Sequence, residues 1–304
     1  DGGSVLKRKI YEDLLRWKQE EAGRTALLID GARRVGKSYI AETFAKAEYK
    51  SYLVVDFNRV SQAVTDLFLN YMDDLDLFFL YLSNYYNVKL YPRETLIILD
   101  EVQLFPKARA AIKYLVADGR YDYIETGSLM SIRKNVQDIV IPSEERHIKL
   151  HPMDFEEFLW GMGISEDMIG NLCGYMESKT VIPEAIHSQM MNYYRQYIAI
   201  GGMPEAVQKY VDTKDFREVD KIQRSLLLGY QYDIAHYATA EEKVKAEKCY
   251  LSLAKQLLDK ENHKFQYKEV EHGGRAQKYF SSIEWLLRAD MVHLSKLVTD
   301  VRFD

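Results

Sequence analysis

Through residues 1–150, short apolar runs alternate with longer stretches of helical periodicity. Leu6, Ile10, Leu14, Leu15 and Trp17 recur at helical spacing and predict an amphipathic helix over Val5–Gln19. Thr25–Ile29 is apolar, too short for a helix, and ends at Asp30-Gly31; it reads as a first strand. A helix over Ser38–Lys46 and a second strand over Ser51–Val55 follow. Leu67–Tyr86 reads as one aromatic helix. Thr95–Leu99 is continuously apolar and β-branched, as suits a strand covered on both faces of a parallel sheet. Lys107–Ala117 predicts a helix, Tyr121–Glu125 a fourth strand and Arg146–Leu150 a fifth. Strands alternating with helices imply βαβ units, an α/β fold with an open parallel sheet.

After His151-Pro152 the strand signals stop. Asp154–Gly161, Ser165–Met176, Glu184–Ile200, Pro204–Val211 and Phe216–Tyr237 all carry helical periodicity. Glu241–Asp259, Tyr267–Glu271 and Ala276–Arg288 predict further helices, the last with Phe280, Ile283, Leu286 and Leu287 as a buried stripe. Met291–Val298 alternates as a strand would. The expected division is a core over 1–151, a helical lid over 152–238 and a helix-helix-helix-strand module over 239–304.

The chemistry sits at the end of the first strand. Gly31-Ala32-Arg33-Arg34-Val35-Gly36-Lys37-Ser38 matches G-x-x-x-x-G-K-[ST] and lies between a predicted strand and a predicted helix. Glycines let the backbone wrap closely, so that N–H groups face phosphate oxygens, and the helix N-terminus adds positive potential. Lys37 would reach the β- and γ-phosphates, and the Ser38 hydroxyl would ligate Mg²⁺. With Tyr39, which follows, these residues are the expected binding set for ATP or ADP. Thr95–Leu99 then runs into Asp100-Glu101. An Asp at this strand end orders Mg²⁺, and the next carboxylate is placed to polarise the attacking water. Tyr121–Glu125 runs into Thr126-Gly127-Ser128, and Ser128 or Thr126 can hydrogen-bond the γ-phosphate or the water. A helix N-cap is an equal reading of Ser128.

Composition narrows the classes. No apolar run reaches the roughly 20 residues a membrane helix needs, and Leu75–Leu82 is interrupted by Asp. Only Cys173 and Cys249 occur, no disulfide framework, which fits a reducing cytoplasm. The formal net charge of −5 does not favour non-specific nucleic-acid binding. His147 and His151 fall on a strand running into Pro152, unlike helical metal-binding pairs. Tyr193, Tyr194 and Tyr197 read as helix-packing groups. Lys264, Lys268, Arg275, Lys278 and Arg288 make the tail basic, but its stripe is an ordinary buried one.

The ordered set Lys7–Lys18, Gly31–Ser38, Leu99-Asp-Glu-Val-Gln103, Thr126–Ser128, Pro152-Met-Asp-Phe-Glu-Glu-Phe158 and Gly201-Gly-Met-Pro204 resembles the AAA+-type ATPases of bacteria and archaea that carry a C-terminal domain of unknown function. The resemblance implies a P-loop NTPase sheet, a helical lid and a winged-helix-like module. It implies that Pro204 packs on adenine, against the alternative of a simple helix start. It matches Arg146 to an arginine that senses the γ-phosphate or reaches a neighbouring subunit, against the alternative of a surface arginine. Typical members continue into a nuclease-like fold; relative to them this chain is truncated, and it carries no Asp followed by Glu-x-Lys on adjacent strands. The expected partners are nucleotide, a protein target, a second copy of the chain or nucleic acid through the tail. A slow nucleotide-dependent signalling switch is the alternative to a working ATPase.

Overall fold

A computed structural model describes residues 5–128, 143–259 and 264–295. The chain forms two compact units, divided between Leu226 and Leu227. The first begins with helix α1 (Ile10–Glu21) and alternates β1 (Ala26–Gly31), α2 (Lys37–Glu48), β2 (Ser51–Asp56), α3 (Gln62–Asn70), α4 (Leu75–Tyr86), β3 (Thr95–Asp100), α5 (Pro106–Asp118), β4 (Asp122–Gly127) and β5 (Glu145–Leu150). All neighbouring strands pair in parallel, in the order β2-β3-β4-β1-β5. β4 therefore lies between β1 and β3, and their C-terminal ends converge.

Period-two alternation sorts the strand side chains onto two faces. Leu27 and Ile29 pack with α1 and α2, around Leu14, Phe44 and Ile98. Ala26 and Leu28 pack with α3, α4 and α5, around Phe78, Leu82, Ile112 and Tyr123. Both faces are covered, so β1, β3 and β4 are buried at every position, as the continuous apolar run of β3 predicts for that strand.

The expected helix over Leu67–Tyr86 is two helices. The hydroxyl of Ser61 caps α3, Tyr71 ends it, and the Asp74 carboxylate caps α4 by accepting from the Leu77 N–H. Leu6 lies outside α1 and packs instead with Met153 and Phe158.

The helical part continues with α6 (Phe155–Gly161), α7 (Glu166–Glu177), α8 (Glu184–Ile200), α9 (Pro204–Thr213) and α10 (Phe216–Tyr237). Its core is Leu6, Met153, Phe158, Ile200, Ala206, Val207, Tyr210 and Val219. Two of the sequence motifs meet there. The Met153 N–H donates to the Gly202 carbonyl at 2.6 Å, and a Cβ on Gly202 would lie 2.2 Å from the Met153 oxygen. No side chain fits that approach of backbone on backbone. Gly202→Ala is expected to cost about 1–3 kcal/mol, read as a lower denaturation midpoint; an unchanged midpoint would show that the two segments separate freely.

The second unit holds the end of α10, α11 (Ala240–Leu257), a 3₁₀ turn (Tyr267–Glu269) and α12 (Ala276–Arg288). The expected helix over Tyr267–Glu271 is only that turn. The expected stripe of α12 is shifted by one residue: Tyr279, Ser282, Trp285 and Leu286 are buried, whereas Phe280 is exposed. Residues 291–295 form no strand, and 296–298 of the expected strand lie outside the described residues.

Candidate functional site

The phosphate-binding loop leaves β1 at Gly31 and enters α2 at Lys37. Gly36 has φ 99°, a left-handed conformation that glycine adopts without steric cost. It is also the N-cap of α2, and it supplies no capping side chain. Ala32, Val35 and Lys37 are buried, Arg33 is exposed and Arg34 is half-buried. The Lys37 ammonium lies on the loop's own carbonyls, 3.0 Å from Gly31 O and 2.8 Å from Ala32 O.

Asp100, at the end of β3, collects two hydroxyls on one carboxylate oxygen. Ser38 donates to its Oδ1 at 2.6 Å and Thr126 donates to the same atom at 2.5 Å. Thr126 in turn accepts the Glu101 N–H at 3.0 Å. Glu101 follows with φ 55°, a left-handed turn that swings its side chain away from the strand axis, and the Gln103 amide donates to its carboxylate. These contacts join α2, β3 and β4 at the C-terminal end of the sheet. β4 continues two residues beyond its expected end, and for that reason Thr126 makes the contact, whereas Ser128 stands half-buried just past the strand.

Arg146 is not at the loop. It pairs in register with Leu27, while Leu150 is the residue level with Gly31. Four residues of strand put it about 13 Å back along the sheet, where its Nε lies 3.7 Å from Glu21 Oε1. His147 is engaged with Glu145, Nε2 to Oε1 at 2.5 Å.

Next to the loop is a cleft of about 410 Å³, lined by Leu6, Arg8, Gly36, Tyr39, Ile40 and Pro204 among others. Pro204 starts α9, and its ring carbon lies 3.6 Å from where a Cβ on Gly36 would stand. Tyr39 is exposed. Apolar walls with a few polar groups suit a flat heterocycle.

Arg8 is a member of this site that the sequence did not mark. Its guanidinium is buried and joins three segments: Nε donates to Glu157 Oε2 at 2.8 Å, Nη1 to Val35 O at 3.2 Å and Nη2 to His151 O at 2.5 Å. Glu157 also accepts the Lys9 N–H and completes the capping box of α6 with Asp154. The glutamate of the Pro-x-x-Phe-x-Glu-Phe segment is thus what anchors the chain's leading segment against the loop. Nothing in the run Lys7-Arg8-Lys9 distinguishes the buried middle residue from its exposed neighbours.

Residues 23–159 match the family model described as AAA domain, and residues 191–303 match a domain of unknown function (DUF8612). By that match residues 23–159 are an AAA domain. That domain is a nucleotide-binding fold, and a C-terminal domain of unknown function follows it. No curated protein matches the chain. Solved structures to which the chain is similar include Orc1 of Aeropyrum pernix in complex with DNA (11% identity, 95% of this chain and 85% of that one, TM-score 0.39). AMPPCP-bound DnaA from Aquifex aeolicus is another (11%, 95% and 90%, TM-score 0.36). A Signal Transduction ATPase with Numerous Domains from Pyrococcus horikoshii is a third (11%, 94% and 39%, TM-score 0.38). The family match, not these distant likenesses, carries the assignment. Among the described residues no helix is long and apolar enough to cross a membrane.

Proposed function

We propose that this AAA-type domain binds ATP with Mg²⁺ and hydrolyses it, and that the helical layer carrying Pro204 responds to the nucleotide. The observation that supports this best is the hydroxyl–carboxylate chain Ser38–Asp100–Thr126–Glu101, built from three elements at the mouth of the phosphate loop.

The residues suit the task as follows. The α2 N-terminus and the loop amides from Gly31 to Ser38 receive the phosphates, and the Lys37 ammonium moves from the Gly31 and Ala32 carbonyls to β- and γ-oxygens. The Ser38 hydroxyl and Asp100 carboxylate are hard oxygen donors held 2.6 Å apart, a fitting pair for Mg²⁺. Mg²⁺ bound there would neutralise charge on the β- and γ-phosphates. Glu101 takes a proton from the water that attacks the γ-phosphorus as the bond to the bridging oxygen of ADP breaks. Thr126 fixes the Glu101 backbone, and Ser128 is assigned a hydrogen bond to the water or the γ-phosphate. Pro204 and Tyr39 flank the base. Arg146, remote from its own loop, is assigned to a neighbouring copy, where it would act as a finger.

A second reading is a slow nucleotide-dependent switch. The hydrogen bond from Gln103 to the Glu101 carboxylate favours it, because an engaged base works slowly until released. The experiment is phosphate release from ATP, with and without Mg²⁺, over a range of protein concentrations. Mg²⁺-dependent turnover that rises per subunit with concentration supports an assembled ATPase completed by Arg146. Stoichiometric binding without steady turnover selects the switch, and no binding at all sinks both.

A further inference from the structure

Arg34 stands near the tip of the phosphate loop with φ 61°, in the left-handed region where glycine is the unstrained choice. A non-glycine residue kept in such a conformation invites the question of what its side chain does. Here the guanidinium crosses to the helical layer. Nη2 donates to the carboxylate of Glu205 on α9, and Nη1 donates to Ser225 Oγ on α10 at 3.0 Å. The partners lie 171 and 191 residues away in sequence. Glu205 directly follows Pro204, whose ring lies against Gly36 of the same loop.

We propose that Arg34 is a positioning residue, a clasp that holds α9 and α10 on the phosphate loop and so sets the width of the cleft, and that it is not a ligand of phosphate. The geometry needs arginine. A planar guanidinium carries donors in two directions and can serve a carboxylate and a hydroxyl on separate helices together; an ammonium on a flexible stem is a single point charge. Through Glu205 the clasp acts on Pro204, the wall of the cleft assigned to the base. Arg8 fixes the other side of the loop through Val35 O, so the loop is tied to the helical layer at two places. The effect on nucleotide rests on the ATP-binding reading above; the clasp itself does not.

The test uses the whole chain. Arg34→Gly keeps a residue at ease in the left-handed conformation and deletes only the clasp. Amide hydrogen exchange over α9 is expected to accelerate while β1 and β3 exchange as before. KM for ATP is expected to rise about three- to tenfold, more than kcat falls, the scale of a partly exposed ion pair with one further hydrogen bond. Arg34→Lys recovers part of the protection. The exchanged pair Arg34→Glu with Glu205→Arg restores it further than Arg34→Glu alone, whereas if Arg34 held phosphate the exchange would recover no ATP binding lost in Arg34→Glu. Equal α9 exchange in wild type and Arg34→Gly would overturn the clasp. Because the exchange measurement needs no nucleotide, a protein that fails to bind ATP would remove the proposed function and still leave the clasp decided.

Discussion

Glu101→Gln is expected to abolish steady ATP turnover while leaving nucleotide binding intact. The substitution keeps shape and hydrogen-bonding reach but removes the only function a carboxylate has that an amide lacks here, acceptance of a proton. General-base assistance typically contributes about 10²–10⁴-fold in rate, so phosphate release is expected to fall by that order. The surroundings are insulated from the change: Thr126 holds the Glu101 backbone N–H, not its side chain, and Ser38 holds Asp100. Asp100→Ala differs, because it removes the atom on which both hydroxyls converge, and weakened Mg²⁺-dependent binding is expected with the lost rate. The check is a paired measurement of binding by a fluorescent ATP analogue and of phosphate release. If Glu101→Gln turned over at the wild-type rate, the base would lie elsewhere; if it lost binding as well, Glu101 would be structural.

What could be read in the sequence was whatever depends on neighbours in the chain. The loop Gly31–Ser38 declares itself because its chemistry is compressed between one strand and one helix. Asp100 and Glu101 follow an apolar run that can only be a buried strand. The break between α3 and α4 was hidden by apolar residues that keep helical spacing across it, although Asp73-Asp74 held the capping signal. The contact of Thr126 with Asp100 was not foreseen: the sequence offered Thr126 and Ser128 alike for the γ-phosphate or the water, and β4 runs two residues further than expected. Arg146 could be assigned to a strand but not to the end of the sheet it occupies, since that depends on the register with β1. Arg8 with Glu157, and Arg34 with Glu205, were out of reach for a plainer reason: each pair is made by contacts between residues some 150 positions apart or more, and no local period encodes them.

The largest effect on stability is expected at a residue outside the site. Arg109 on α5 is 1% exposed and forms a bidentate pair with Glu145 at the start of β5, Nε to Oε2 at 3.0 Å and Nη2 to Oε1 at 2.6 Å. Glu125 on β4 is wholly buried on the same face, across β1 from Glu145: it is level with Leu28, and Glu145 is level with Ala26. Burial first, and then the charge of Glu145, push the Glu125 carboxyl well above the usual carboxylate range, so it is held as the neutral acid. Burial also opposes ionisation of Glu145, but hydrogen bonds from His147 and Arg109 outweigh it and bring that group down to about 2. Arg109→Met leaves the Glu145 charge buried without its cation, and removal of one partner of such a pair costs about 3–5 kcal/mol. The two carboxyls also predict opposite slopes with pH. Glu145, depressed when folded, contributes stability that is present above its ordinary pKa and lost as pH falls toward about 2. Glu125, raised when folded, binds a proton that the unfolded chain releases, so its contribution falls as pH rises above the ordinary carboxylate range. Glu125→Gln keeps the shape of the neutral acid without a titrating proton. Its stability relative to wild type is therefore expected to improve as pH rises above the ordinary carboxylate range, measured by denaturant unfolding at each pH. Parallel curves for the two proteins would mean that Glu125 titrates in the folded state as it does in the unfolded chain, and its neutral buried state would have to be abandoned.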